Sequence, residues 1–332
     1  WSYLAITLLG IAAVALVLRW RHRDPKKFQQ LLLRTTAGFG VVCTLFILLT
    51  GKTQTSNPHT HLIPYNINGG DNLSLSDDLD VCRSDFYGSV DNAGMFWQIP
   101  TIQCFHSIVP GSVMNFYNSI DVTRDVASRP DITHYALRGL TSCKYLFDDD
   151  SDYDNFGDIS TGENTKMPGW SYVGHQNGYY IWQNDNYIPM GFSYDFYITQ
   201  EQYESLSEST RESVLLHCLV LSDEQIETYG DLLSPMTNIY SLSWDENQYK
   251  TDCKDRARTS CSSFAYTTSG FTAVSSGDKE RLVFFSVPYE SGWSATVNGE
   301  PVQVEQVSVG FMAVKVPAGE STIVFTYETP GL

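Results

Sequence analysis

The chain has 332 residues, of which 42% are apolar, enough for one or two globular cores besides any membrane segment. Its net charge of −17 is unevenly distributed, because residues 53–332 hold 14 bases and 37 acids, a net charge of −23. A surface this acidic repels nucleic acid and anionic lipid headgroups, so the sequence predicts no nucleic-acid partner.

Two uncharged apolar runs open the chain: residues 3–18 read YLAITLLGIAAVALVL, and residues 35–51 read TTAGFGVVCTLFILLTG. Each is slightly shorter than the ~20 residues that cross a bilayer. The second run can extend towards the N-terminus to include Leu31–Leu33, and the first is expected to continue upstream of Trp1. A signal peptide does not fit the first run, because its positive charges follow the apolar stretch. A buried core helix is the alternative for the second. We predict two transmembrane helices within residues 1–52.

The segment between these runs is basic. Residues 19–34 read RWRHRDPKKFQQLLLR, and the positive-inside rule places them in the cytoplasm, so that everything after Gly51 faces outward. Residues 53–80 are rich in Asn, Ser, Asp and Pro and are predicted to be a membrane-proximal linker. His59 and His61 have a spacing that suits a metal on a strand, but no nearby acid or cysteine completes a ligand set. We predict a solvated loop and no metal site.

Six cysteines follow the apolar runs: Cys82, Cys104, Cys143, Cys218, Cys253 and Cys261. An even set outside the membrane is compatible with three disulfides, and buried thiols are the alternative. Cys253 and Cys261 are the best local pair, because they close a short polar loop.

The outer region divides into a mixed α/β part, residues 81–169, and a β-rich part, residues 170–332. Apolar residues at helical spacing after Pro110 predict a helix that reaches Ile120, and CKYLF at residues 143–147 predicts a strand. The acidic run 148–158, DDDSDYDNFGD, suggests Ca²⁺. It departs from the EF-hand template, since Asn155 takes the glycine position and Thr161 replaces the bidentate glutamate. We predict a disordered acidic loop.

From about residue 170 the apolar pattern has a period of two. The candidate strands are 178–182, 190–194, 271–274, 281–287, 295–297, 302–306, 311–316 and 322–327. Asn298-Gly299 predicts a type I′ hairpin, and Thr199 is predicted to cap a helix that continues through SESTRESVLLHCLVL. Dense short strands near the C-terminus indicate an antiparallel β-sandwich. The predicted fold class is an α+β membrane protein fragment: two transmembrane helices plus an extracytoplasmic mixed domain ending in that sandwich.

Common catalytic motifs are missing from the sequence, since it contains no GxSxG, Walker A, GxGxxG or HExxH. Two longer segments carry a family resemblance. They are VDNAGMFWQIPTIQCFHSIVPGSVMNFYNSI, residues 90–120, and LVFFSVPYESGWSATVNGEPV…GFMAVKVPAGESTIVFTYETPGL, residues 282–332. Both resemble the YfhO family of bacterial multi-pass membrane proteins, and the pieces at 137–147 and 178–195 fit it too. The resemblance covers the whole chain and implies the C-terminal portion of such a protein.

The resemblance implies a GT-C-type glycosyltransferase that moves a sugar from a polyprenyl-phosphate donor to a cell-surface polymer such as teichoic acid. The catalytic base of such enzymes is usually an acid on the first outward loop, which would lie upstream of Trp1. We therefore assign no catalytic residue and no cofactor, and we expect this fragment to be inactive alone. The strong negative charge conflicts with an anionic acceptor, so we expect a local neutral or basic groove or a different acceptor.

Five residues are predicted to line a sugar site: Asp91, Asn92, Trp97, His106 and Ser107. Asp91 and Asn92 offer hydrogen-bond acceptors and donors, and Trp97 offers a stacking plane. His106 adds a titratable polar group. The alternative is that Trp97 belongs to the core and that His106 caps a turn.

Two other functions remain open. A non-catalytic carbohydrate-binding or scaffolding ectodomain predicts that the outer domain binds glycans by itself. A sensor ectodomain is disfavoured, because the short basic hairpin leaves no room for a cytoplasmic signalling domain within this chain.

Overall fold

The structure is a computed structural model that describes residues 2–21, 24–55, 67–75, 81–123 and 127–331. The chain divides into two compact units, residues 1–60 and 61–332. His59, His61 and most of the predicted linker lie outside the described residues, so the predictions for them are not tested.

The first unit holds two helices, α1 (Ser2–Leu18) and α2 (Pro25–Thr55). Pro25 suits the first helical position, because it has no N–H to satisfy there, and the Asp24 carboxylate accepts the Lys27 N–H at 3.1 Å. Among the described helices, the stretch Pro25–Gly51 is long and apolar enough to cross a membrane, whereas the apolar stretch Leu4–Leu18 of α1 is shorter. One membrane-capable helix is therefore present, and a second span stays a prediction.

The second unit is α+β. Its helices are α3 (Ala93–Trp97), α4 (Gly111–Ser119), α5 (Tyr135–Leu140), α6 (Gln200–Glu204), α7 (Glu208–His217), α8 (Asp223–Tyr229) and α9 (Glu246–Arg258). Its strands are β1 (Arg83–Tyr87), β2 (Cys104–Phe105), β3 (Ala127–Ser128), β4 (Cys143–Asp149), β5 (Trp170–Gln176), β6 (Tyr179–Asn184), β7 (Phe192–Ser193), β8 (Phe196–Thr199), β9 (Leu219–Leu221), β10 (Ser234–Pro235), β11 (Ser263–Thr267), β12 (Gly270–Gly277), β13 (Arg281–Pro288), β14 (Trp293–Val297), β15 (Glu300–Val302), β16 (Glu305–Val307), β17 (Phe311–Val316) and β18 (Gly319–Tyr327).

The first sheet has the order β1-β4-β6-β5, with β1 parallel to β4 and the other pairs antiparallel. Its central strand β4 is buried on both faces: Tyr145 and Phe147 join one core cluster, and Leu146 joins another. The predicted strand at CKYLF and the predicted helix after Pro110 are both confirmed, as β4 and α4.

Two antiparallel sheets form the C-terminal region, a five-stranded sheet β11-β12-β18-β14-β15 and a four-stranded sheet β16-β17-β13-β7. Inward residues of both sheets, such as Phe271, Phe285 and Phe325, share one hydrophobic cluster. The Asn298-Gly299 hairpin is confirmed, since both residues have positive φ (54° and 86°) and Val297 pairs with Glu300.

The predicted strand 302–306 is wrong. The chain leaves the five-stranded sheet after β15 and enters the four-stranded sheet at β16, so two short strands replace one. Val304, between them, is buried in the cluster that the two sheets share.

The predicted helix after Thr199 is correct at its start and wrong at its end. Thr199 forms a capping box, with its hydroxyl accepting the Gln202 N–H at 3.1 Å and the Gln202 side chain accepting the Thr199 N–H at 2.9 Å. The helix breaks into α6 and α7, and Leu219–Leu221 forms the buried strand β9 beside β8. Parallel pairing with β8 in a fully buried layer overrides the helical pattern there.

Cys253 and Cys261, the best local pair for a disulfide, are both buried free thiols, which is the alternative that the sequence left open. Cys253 belongs to the cluster around α5, α7 and α9, whereas Cys261 belongs to the cluster shared by the C-terminal sheets. Burial raises the pKa of Cys253 to about 12 and that of Cys261 to about 11, so both stay protonated at neutral pH.

Candidate functional site

An aromatic cleft opens where the β11–β12 hairpin approaches the start of β1. Its volume is about 360 Å³. The lining residues are Val81, Cys82, Arg83, Pro100, Met190, Phe264, Tyr266, Thr267, Thr268, Ser269, Gly270, Phe271, Val287, Trp293 and Tyr327. We call it the aromatic cleft.

Three of the aromatic side chains that line the cleft are partly exposed: Tyr266, Trp293 and Tyr327. The rings of Trp293 and Tyr327 lie 5.0 Å apart at 57°, and Tyr266 is 45% exposed. Tyr327 donates its hydroxyl to Glu290 at 2.7 Å, which fixes the ring and raises the pKa of Tyr327. Trp293 also packs on Phe271 at 5.8 Å. Such partly exposed, well-supported rings are suited to stacking on the apolar face of a sugar.

The lip of the cleft is the turn between β11 and β12, residues 267–270. Ser269 donates its N–H to the Thr267 hydroxyl at 3.3 Å, and Tyr327 donates its N–H to the Ser269 carbonyl at 2.8 Å. A Cβ at Gly270 would lie 2.0 Å from the Phe325 carbonyl oxygen, so only glycine fits there. The tight turn therefore brings the hydroxyl side chains Thr267, Thr268 and Ser269 to the edge of an aromatic surface.

Arg83 supplies the charge of the cleft. Its guanidinium donates to the Thr141 carbonyl at 2.7 Å and to the Ser286 hydroxyl and carbonyl at 3.0 and 2.9 Å. All three acceptors are neutral, and Arg83 has no ion pair among the described residues. Removal from water lowers the pKa of Arg83. A largely buried cation with no carboxylate partner is costly unless an anion completes its shell.

Arg83 also lines a second cavity, of about 310 Å³, which we call the His106 cavity. Its residues include Cys104, His106, Val109, Ser112, Tyr117 and Ser128, and most of its surface is apolar. The Ser112 side chain is buried, and its Oγ has no hydrogen-bond partner. Burial raises the pKa of Tyr117 to about 12, so its phenol stays neutral.

Asp91 lies in a third cavity, a polar cleft of about 580 Å³. There its carboxylate accepts three hydrogen bonds from the exposed Arg129, one from Nε at 2.8 Å and two from Nη2. Deeper in the cleft, Arg138 donates to Asp85 at 2.9 and 3.1 Å and to three backbone carbonyls. Both side chains of this inner pair are 1% exposed, so the pair is part of the core.

The other predicted site residues are dispersed. Asn92 clamps Phe105, accepting its N–H at 2.8 Å and donating to its carbonyl at 3.0 Å. Trp97 is 6% exposed, and its ring packs edge-on against Phe147 and Tyr179 at 5.0 and 4.9 Å. Ser107 is exposed, beside His106 on the loop before α4. The structure thus places Asp91 and His106 in separate cavities and Trp97 in the core.

Sequence reasoning missed the residues that build the aromatic cleft. Trp293 packs on the core while it also lines the cleft. A usable signal was the tyrosine at 266 directly before the turn TTSG. Arg83 carried no signal, because only the fold reveals that its guanidinium is buried beside neutral acceptors.

The acidic segment 148–158 is not a disordered loop, and that prediction is wrong. Lys166 Nζ donates to Asp154 at 2.6 Å, to the Asn155 carbonyl at 2.7 Å and to the Tyr87 hydroxyl at 2.7 Å, which ties the segment to β1. No group of three or more metal-ligating side chains occurs among the described residues.

At the start of this segment, Asp148 is fully buried. Its Oδ2 accepts the Phe156 N–H at 2.9 Å, and its Oδ1 has no partner. Burial raises the pKa of Asp148 to about 7.

Comparison with known families covers the region that holds most of the aromatic cleft. Residues 234–332 match the model of the family described as bacterial membrane protein YfhO. The predicted resemblance to the YfhO family is therefore confirmed for the C-terminal portion of the chain. No curated protein and no solved structure matches this chain. The match includes Tyr266, Trp293 and Tyr327, whereas Arg83 lies outside it.

Proposed function

We propose that this chain is the C-terminal part of a membrane glycosyltransferase, which transfers a sugar from a polyprenyl-phosphate donor to a cell-surface polymer such as teichoic acid. In this proposal α1 and α2 both span the bilayer, residues 19–34 lie in the cytoplasm, and residues 61–332 lie outside it. The C-terminal sheets are proposed to form an antiparallel β-sandwich. The relation to a bacterial membrane protein family and the membrane-capable helix α2 support this arrangement.

The aromatic cleft with Arg83 is the observation that carries the proposal. Rings for stacking, a row of hydroxyls and one cation without a carboxylate partner are the groups that a phosphate-bearing saccharide requires. The cleft is also a local exception to the acidic surface, because no carboxylate lines it among the described residues. Of the two expected ways to resolve the conflict with the acidic surface, a local neutral or basic groove and a different acceptor, the cleft supports the first.

In the proposed reaction a hydroxyl oxygen of the acceptor attacks the anomeric carbon of the donor sugar. The new bond is the glycosidic C–O bond, the bond that breaks joins the anomeric carbon to the phosphate oxygen, and the polyprenyl phosphate leaves with the electron pair. A base must accept the hydroxyl proton. We assign no residue of this chain to that step; Arg83 and the aromatic residues bind and orient the saccharide.

A transfer assay in membranes tests the proposal. The full-length parent is compared with a version that lacks residues 81–332, with expression and insertion checked for both, polyprenyl-phosphate sugars as donors and surface polymer as acceptor. Transfer by the parent and none by the truncation is the expected result. A well-inserted parent that transfers no sugar from any donor would contradict it.

A non-catalytic carbohydrate-binding or scaffolding module is the second candidate, and one observation favours it. Among the described residues, the aromatic cleft has binding groups but no acid that could act as a base. This alternative predicts that the parent's transfer activity survives substitutions in the cleft, whereas binding of surface glycan by the outer domain is lost.

A further inference from the structure

An exposed apolar patch lies on the segment before α4. Its members are Met95 (65% exposed), Phe96 (49%), Phe105 (44%) and Ile108 (90%). The two hydrogen bonds between the Asn92 side chain and the Phe105 backbone, at 2.8 and 3.0 Å, bring the start of α3 beside β2. Met95 and Phe96 lie on α3, three and four residues after Asn92, and Ile108 lies three residues after Phe105. We call this set the apolar patch.

The sequence around the patch has no ionic charge. Residues 92–120 contain no Asp, Glu, Lys or Arg, although residues 53–332 as a whole have a net charge of −23. At the edge of the patch, the carboxylate of Asp91 is neutralised by Arg129. Insertion of this patch into a bilayer would therefore remove no unpaired charge from water. The rest of the outer unit is acidic, so anionic headgroups would repel its other faces.

We infer that the apolar patch inserts into the outer leaflet of the membrane that α2 spans. Lipid is the occupant because the predicted linker, residues 53–80, joins this unit covalently to the helix that spans that bilayer, which gives a high effective concentration of lipid at the patch. Ile108, Phe105, Phe96 and Met95 supply the side chains that partition into the acyl boundary, as in interfacial anchors. The inference rests on the proposed membrane anchoring and goes beyond the proposed transfer reaction.

The consequence is a fixed orientation at the membrane. The loop that follows Phe105 at the end of β2 bears Ile108, and it also contributes His106 and Val109 to the His106 cavity. An inserted patch would hold that cavity near the acyl boundary, where its apolar lining can receive a lipid-borne group.

Site-specific photocrosslinking tests the inference. The photoreactive residue p-benzoylphenylalanine replaces Ile108, or Met95 as a second patch position, in the full-length parent within membranes that contain radiolabelled phospholipid. Val173 (47% exposed) and Tyr153 (98% exposed), on β5 and on the acidic segment, are matched control positions. After illumination we expect phospholipid label on the protein several-fold higher at positions 108 and 95 than at 173 and 153.

Equal labelling at patch and control positions would overturn the inference, as would crosslinks from position 108 to protein instead of lipid. Alkaline extraction of the same membranes separates the two proposals. Retention in the pellet with equal labelling rejects the patch alone, whereas release from the pellet rejects the membrane anchoring and the patch together.

Discussion

The C-terminal sheets and the region around β1 stabilise the same unit by different means. Between the sheets, stacked and edge-on rings such as Phe271, Phe285 and Phe325 form an apolar cluster. Around β1, the core contains the Asp85–Arg138 ion pair and the guanidinium of Arg83, which has only neutral acceptors. Apolar packing is satisfied within the fold, whereas a buried charge needs a specific partner, so the β1 region is where a ligand can complete the structure.

The largest expected effect tests the ion pair. Arg138→Ala leaves the Asp85 carboxylate buried without its cation, and we expect a loss of ~3–5 kcal/mol in the free energy of unfolding. The double variant Asp85→Leu/Arg138→Met should recover most of that loss, since it removes both charges. Urea unfolding measures both. If Arg138→Ala alone lowered the free energy of unfolding by less than ~1 kcal/mol, the contrast between the two regions would not hold.

Asp148 makes the stability of the region around β1 depend on pH. Its carboxyl has a folded-state pKa of about 7 against an ordinary value of 3.8, because the cost of burying the charged form outweighs the lowering effects of the Phe156 N–H and of Lys166. Between these values the folded protein retains a proton that the unfolded chain releases. Stability therefore falls as the pH rises from about 4 to 7, and stays level above. Asp148→Asn should remove this pH dependence, which amounts to ~4 kcal/mol for a shift of this size. Thermal melts from pH 4 to 8 provide the measurement. If the melting temperatures of wild type and Asp148→Asn depended on pH in the same way, the assignment would be contradicted.

A conservative substitution tests the apolar cluster between the C-terminal sheets. Phe325→Leu changes the shape of a buried ring but introduces no polar group, and we expect a loss below ~1.5 kcal/mol because apolar cores repack around similar volumes. Denaturant midpoints provide the measurement. A loss as large as that of Arg138→Ala would mean that the sheets tolerate change no better than the β1 region.

The smallest expected effect is at the rim of the polar cleft. The Arg129 and Asp91 side chains are 60% and 38% exposed, so solvent screens their attraction. Arg129→Met should lower the free energy of unfolding by less than ~1 kcal/mol, with the difference vanishing at high salt. A loss that persists in 1 M salt would show that the pair is coupled to the buried charges beneath it.

The same contrast explains what the sequence could predict. Period-two alternation predicted β13, β17 and β18, and Asn298-Gly299 predicted the hairpin, because these elements follow local rules. The strand 302–306 failed because the chain changes sheets there, and Leu219–Leu221 failed because pairing with β8 overrides local preference. The dispersed site residues have a related cause: Asp91 and Asn92 are neighbours in sequence, yet one faces a cavity and the other clamps Phe105.

The function of Arg83 is the central claim, and sugar transfer by the full-length parent carrying Arg83→Met tests it most directly. Arg258→Met is the matched control, because Arg258 is 72% exposed on α9 and lines none of the three cavities. The account predicts that Arg83→Met lowers kcat/KM for transfer about 10- to 100-fold, since a hydrogen bond to a charged group contributes ~1.5–3 kcal/mol. Circular dichroism would show that the Arg83→Met protein is folded, and Arg258→Met would transfer normally. Transfer at the wild-type rate by a correctly folded Arg83→Met protein would contradict the claim.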